Sequence, residues 1–303
     1  MSDLPGPAAD EAPAGDAPAA GATAPYDAES FWEARLSGRF DLSGAGFRGI
    51  GKPFNDALYR QRAVVLERAI RRFRLPVAGS DVVEIGPGTG VYVERWKAGR
   101  VASLVGLDIT AVVPERLGAA YPEYRFAQAD ASEPWPVDDA SADLVTAFDV
   151  LFHIVDDDRF AAAIRQAGRV VRPGGHLLVS DMFLHDRAFR GYHQVSRTLA
   201  EYEAALHAAG FEVLGRLPIF VTMHPALDVP AGWRRRFAER WWKRIETTLI
   251  GNPRLGRRIG TGLFWIDRAL TKVLRDGPST ELLVARRRPD GIAAPTAAPA
   301  AEC

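Results

Sequence analysis

The chain has 303 residues, 47% of them hydrophobic and 25% charged, enough apolar material to fill the core of one large α/β domain. Its 38 basic side chains balance 38 acidic ones, which argues against a general nucleic-acid binder, since that needs a positive surplus to displace counterions. The single cysteine, Cys303, excludes a disulfide framework or a cysteine-built metal site, and no metal is expected.

Residues 1–26 are almost wholly Ala, Pro, Gly and Asp and are expected to form a disordered tail. They lack the basic and apolar regions of a signal peptide, and no run reaches the roughly 18 apolar residues that span a bilayer. A cytoplasmic protein is the expectation. Residues 27–78 read as helices, with Phe31, Trp32, Tyr59, Val64, Leu66 and Ile70 in helical spacing around a glycine-rich loop at Leu42–Pro53. Asn55, Tyr59 and Arg60 fall in this stretch. From Asp81 to Asp181 short apolar runs alternate with helical stretches. Asp81–Ile85, Ser103–Leu107, Tyr124–Ala129, Leu144–Phe148 and His176–Val179 read as buried parallel strands. Val91–Ala98, Val112–Ala120 and Asp158–Val171 read as the helices between them, and the alternation implies a doubly wound sheet. Leu199–Ala209 is a further helix; Phe211–Leu217, Phe220–Met223 and Thr280–Ala285 read as strands. A helical insertion over 225–278 precedes the last strand, and 289–303 is a second tail. The domain proper is therefore 27–288.

The sharpest local signal is Val82-Val83-Glu84-Ile85-Gly86-Pro87-Gly88-Thr89-Gly90, a strand running into a glycine turn and then a helix. Gly86 and Gly88 let the backbone pass close beneath a ligand, and the helix beginning near Gly90 points its amides at it. A dinucleotide loop requires a third glycine where Val91 stands, so the pyrophosphate fingerprint fails and a nicotinamide oxidoreductase is disfavoured. Glu84 would repel a phosphate but could orient a cationic or neutral ligand. Asp108, at the end of the second strand, is placed to accept from both hydroxyls of a ribose. The third strand ends at Asp130, and the fourth runs through Phe148 and Asp149 to His153.

In this order and spacing the sequence resembles the class I S-adenosylmethionine-dependent methyltransferases, strongly over Ser80–Phe183 and more loosely through Ala209–Val213 and the final strand. The resemblance implies a Rossmann-like, mostly parallel seven-stranded sheet whose last strand is antiparallel, with the helices of 27–78, which hold Asn55, Tyr59 and Arg60, folding over the cofactor as a lid. It implies that Glu84 and the glycine loop, Gly86, Pro87, Gly88 and Gly90, hold the methionine end of S-adenosyl-L-methionine. It also implies Asp108 on the ribose, Ile109 packing on adenine, Asp130 accepting from the adenine amino group with Ala131 donating an amide, and Phe148 near the amino-acid moiety. Each acid also has a plainer use, and Asp130 could cap the turn at Ser132.

Methyl transfer to a hydroxyl gains from a general base, and candidate bases gather at the carboxyl ends of strands. His153 is the expected base, with Asp181 orienting it or the substrate; His185 and His193 are weaker candidates, and His176 reads as packed. The expected reaction is O-methylation of a small-molecule or saccharide acceptor. Alternatives are a lipid-linked or membrane-associated acceptor and a non-catalytic cofactor-binding scaffold.

Between Trp233 and Leu274 there are eleven basic residues against three acids, Glu239, Glu246 and Asp267. Trp233, Phe237, Trp241 and Trp242 are expected on one helical face among arginines, and Leu263, Ile266, Leu270, Val273 and Leu274 on a second apolar stripe. Three uses compete: a cap on the sheet, a peripheral membrane contact through 233–274, and a homodimer contact.

Overall fold

The computed structural model describes residues 26–47 and 49–289. Both expected tails lie outside this range, apart from Tyr26 and Pro289. The strands are β1 (Asp81–Ile85), β2 (Ser103–Asp108), β3 (Arg125–Gln128), β4 (Ala142–Phe148), β5 (Val171–Asp181), β6 (Phe189–Arg190), β7 (Val195–Ser196), β8 (Phe211–Pro218) and β9 (Glu281–Arg287). The helices are α1 (Ala28–Gly38), α2 (Leu42–Ala45), α3 (Lys52–Phe73), α4 (Val91–Ala98), α5 (Val112–Ala120), α6 (Asp157–Val170), α7 (Leu199–Ala208), α8 (Trp233–Gly251) and α9 (Gly256–Val273).

Seven strands form one sheet in the order β3-β2-β1-β4-β5-β9-β8, and β6 and β7 pair separately as a short ribbon. All pairings on the β3 side of β5 are parallel, while β9 is antiparallel to both its neighbours. Alternation along β1 divides the core into two layers, because successive side chains point to opposite faces. Val82 joins Leu66, Trp96 and Phe264 on one face; Val83 and Ile85 join Ile164, Leu177 and Tyr202 on the other. The chain leaves β1 in opposite directions to β2 and β4, so a crevice opens at the carboxyl ends of these strands. Register fixes its walls: Ile85 lies beside Leu107 and Ala147, which carries Asp108 and Asp149 to the same rim.

α3 is built into one face of the sheet through Phe54, Leu58, Val65, Leu66 and Ala69, all buried. α9 lies against it at close range, since a Cβ on Gly260 would come within 2.8 Å of Ala57 Cβ. The insertion thus adds α9 as a layer outside α3, and four local expectations change. Phe220–Met223 is not a strand: the amides of Val221, Thr222 and Met223 donate to the buried carboxylate of Asp267 on α9 instead of to a sheet partner. The loop expected at Leu42–Pro53 contains the one-turn helix α2, capped by Asp41, whose side chain accepts from the amides of Ser43 and Gly44. The aromatic face of α8 splits, with Trp242 buried while Trp233, Phe237 and Trp241 are exposed. On α9 the inward face is Gly256, Gly260, Leu263, Phe264, Asp267 and Thr271, leaving Ile266, Val273 and the following Leu274 outside.

Candidate active site

The crevice over β1 and β2 is a cavity floored by Gly86, Pro87 and Gly88 and walled by Asp108, Ile109, Asp130, Ala131 and Phe148. Trp32 and Leu36 from α1, Ala45 from α2 and Tyr59 from α3 close it from above. The loop needs glycine for its backbone: Gly86 has φ of 63° and Gly88 of 51°, left-handed values that other residues adopt at a cost. A Cβ on Gly88 would meet nothing closer than 3.9 Å, so its side faces open space; a Cβ on Gly86 would strike Val150 at 2.5 Å.

Two of the three predicted acids share this cavity. Asp108 is almost wholly buried and accepts from the amide of Thr110 at 3.0 Å, the Thr110 hydroxyl at 2.8 Å and the Gly88 amide at 3.3 Å. Burial raises its carboxyl above the usual carboxylate range. Asp130 accepts from the amide and hydroxyl of Ser132 and pairs with Arg159, so it does cap the following turn while also lining the cavity. Glu84 sits one layer behind the loop and does not line the cavity. It is buried, one of its carboxylate oxygens has no hydrogen-bond partner, and burial pushes its carboxyl up to about 8. A buried carboxylate oxygen without a partner is costly, and protonation of the group relieves that cost.

The Glu84 proton makes a measurable prediction. Its folded-state value lies above the ordinary 4.5, so the folded chain holds a proton that the unfolded chain releases. The associated stability is present below 4.5 and is lost as pH rises through about 8. Without ligand, the wild-type melting temperature should fall across that window by roughly 5 °C more than that of Glu84→Gln, followed by calorimetry. Parallel curves for the two proteins would show that this carboxyl does not titrate there.

A second cavity adjoins the first, and Trp32, Ala45, Tyr59, Asp149 and His153 line both. Its remaining wall includes Phe47, Arg62, Phe152, Phe189, His193 and His224. His153 Nδ1 lies 2.9 Å from the main-chain carbonyl oxygen of His193. A carbonyl only accepts, so Nδ1 carries the hydrogen and Nε2 keeps a lone pair. The ring is clamped by Trp32 at 4.8 Å and stacked near His193 at 5.7 Å, and burial pushes its pKa down to about 3. His153 is therefore neutral at physiological pH.

Asp181 is placed elsewhere. It is fully buried, bonded to the Tyr202 hydroxyl of α7 and the Met182 amide, and burial pushes it up to about 7. It neither touches His153 nor lines a cavity, which corrects the expectation that it orients the base. The last residue of β5 alternates away from the crevice, an outcome set by strand register. His185 pairs with Asp228 on the surface. His193 joins the second cavity, and Arg60 lies over the Phe264 ring at 4.2 Å, outside both.

The residues that sequence reasoning passed over are Asp149, Arg62 and His224. Asp149 adopts a left-handed φ of 56°, with its amide 2.9 Å from the Ser180 hydroxyl oxygen and a carboxylate oxygen 2.6 Å from Arg62 Nε. Arg62 is 9% exposed and lies over the rings of Phe220 at 4.7 Å and Tyr59 at 5.2 Å. His224, pushed down to about 3 by burial, stacks on Phe220. One signal was available: Asp149 immediately follows the fourth strand, as Asp108 ends the second and Asp130 lies just past the third.

The fold and the cavity define a doubly wound α/β domain with a cradle at its switch point, built from a glycine turn, the carboxylate that ends β2 and the one just past β3. A model of the methyltransferase-domain family matches residues 83–179. The chain is 32% identical over 168 residues to a Mycolicibacterium smegmatis protein named "Probable S-adenosylmethionine-dependent methyltransferase", covering 54% of this chain and 62% of the relative. It is 31% identical over 188 residues to the 27-O-demethylrifamycin SV methyltransferase of Amycolatopsis mediterranei, covering 54% of this chain and 67% of that one. A solved structure from the complex of the Haloferax volcanii Trm112 methyltransferase activator with a methyltransferase shares the fold, with a TM-score of 0.51 at 20% identity, covering 83% of this chain and 98% of that one. The chain belongs to the class I S-adenosylmethionine-dependent methyltransferase family.

Proposed function

We propose that this protein methylates a hydroxyl of a small molecule held in the second cavity, with S-adenosyl-L-methionine in the first. The carrying observation is the juncture of the two cavities at His153 and Asp149, where a neutral imidazole with a free lone pair meets a partly buried ion pair.

The residues present fit the cofactor. Asp108 would take the ribose, Ile109 and Ala131 the adenine flanks, Asp130 the adenine amino group, and the 86–89 backbone the amino-acid end, beside Phe148; Glu84 and Gly90, expected at that end from the sequence, lie outside the cavity lining. When bound, this group supplies an electrophilic methyl on a positively charged sulfur. The chain supplies alignment and exclusion of water: Trp32, Tyr59 and Phe152 wall the juncture, and positioning accounts for most of the acceleration in such a displacement. His153 Nε2 accepts the hydrogen bond of the acceptor hydroxyl and takes its proton as the oxygen gains its new bond. An oxygen bearing both a methyl and a proton is a far stronger acid than an imidazolium, so even a histidine with depressed basicity suffices. The aromatic walls suit a neutral acceptor with a flat or apolar body, and the relative acting on 27-O-demethylrifamycin SV supports transfer to oxygen.

His153→Ala should lower kcat by roughly 10² or more while leaving the affinity for S-adenosylhomocysteine within about twofold, read by radiolabel transfer and calorimetry. Because its folded-state pKa lies near 3, wild-type kcat should show no acid limb around 6.5. Unchanged kcat in the variant removes His153 from the chemistry. Cofactor binding without turnover on any hydroxyl acceptor favours the non-catalytic scaffold.

A further inference from the structure

We infer that the outward faces of α8 and α9 form a docking surface for anionic lipid bilayers. At about 100° per residue, Trp233 and Phe237 fall on one side of α8 with Arg240 and Arg244 beside them, and Trp241 lies at the edge of that face with its indole N–H donating to the Thr222 carbonyl. The buried Trp242, Ile245 and Leu249 fall opposite. Trp233 is 68% and Phe237 59% exposed, far more than large aromatic rings need to be on a helix that already has an inward apolar face. Glu239 and Glu246, the only acids of α8, lie on the flank away from these rings. The outward side of α9 repeats the pattern with Arg258, Trp265, Lys272 and Val273, all exposed, and its single acid, Asp267, is buried against the 221–223 amides.

Charge complementarity selects the occupant. The segment 233–274 carries eight more basic than acidic residues in a chain of zero formal charge, so the rest of the molecule is net acidic and the field is oriented. A second copy docked through the same face would set like charge against like. Nucleic acid would use the arginines and rings but gives no place to the exposed Ile266 and Val273. An anionic bilayer takes both: phosphates for the guanidinium groups, and an interfacial zone roughly 5–10 Å deep for Trp, Phe and the aliphatic side chains. No helix of the described residues is long and apolar enough to cross a membrane, so the contact is peripheral.

The test is co-sedimentation of the full chain with vesicles of equal parts phosphatidylglycerol and phosphatidylcholine at low ionic strength, with tryptophan emission recorded alongside. Binding with a blue shift, reversed by salt and absent with pure phosphatidylcholine, is expected. Trp233→Ala with Phe237→Ala, and separately Arg240→Glu with Arg244→Glu, should each weaken partitioning by about tenfold or more. These side chains point outward, and unchanged S-adenosylhomocysteine affinity will show that the variants fold. Four outcomes overturn the inference: no vesicle binding by the wild type, equal binding by both variants, a concentration-dependent dimer abolished by the same substitutions, or oligonucleotide binding without vesicle binding.

Discussion

Asp108→Ala should weaken S-adenosylhomocysteine binding by about 100-fold or more, the largest single loss expected at the site. The side chain is 7% exposed and its carboxylate ends β2 at the cavity wall. Each hydrogen bond from a ribose hydroxyl to a carboxylate contributes about 1.5–3 kcal/mol, and two act together. Since each 1.4 kcal/mol is about a tenfold change in affinity, the loss is of order 10² or greater. Asp108→Asn keeps one acceptor oxygen and should fall between the two. Calorimetric titration measures the affinities, and circular dichroism checks that release of the Thr110 and Gly88 amides leaves the fold intact. A change of less than about tenfold for the alanine variant would remove Asp108 from the ribose site.

Arg62→Ala is expected to have the largest effect on stability, about 3 kcal/mol. It deletes the partner of Asp149, whose carboxylate stays largely enclosed with 21% side-chain exposure, and breaking such a pair costs more than the pair contributes. It also removes a cation packed over Phe220 and Tyr59. Arg62→Met combined with Asp149→Asn abolishes both charges while keeping shape, and should recover most of the loss in denaturant unfolding. If the double variant is no more stable than Arg62→Ala, packing rather than charge holds this corner. Arg62 joins α3 to the end of β4, so its loss should also loosen the wall shared by the two cavities.

The elements that read most clearly from the sequence are those whose pattern is local. β1 and the helices at 91–98 and 112–120 match their expected bounds, because apolar runs, turn glycines and helical spacing act over a few residues. Phe220–Met223 has the apolar, β-branched look of a strand, yet Asp267, more than forty residues later, takes its amides. No local pattern announces that partner. On α8, spacing sets Trp242 about 100° beyond Trp241, and contact with Phe47 and His224 makes its side the buried one.

At the site the division is similar. The glycine turn, the carboxylates at 108 and 130 and the order of strands were readable because backbone conformation and strand ends tie each to one short segment. The roles of Asp181 and Asp149 were not. Asp181 ends β5 and Asp149 follows β4, but register and the left-handed backbone at 149 turn one away from the crevice and the other into it. The Arg62–Asp149 pair joins residues far apart in the chain, and the basicity of His153 follows from burial beneath Trp32 of α1. Short-range geometry is written residue by residue and can be read from the chain. Burial, ion pairing and the choice of which helix face turns inward depend on segments that meet only when the chain folds.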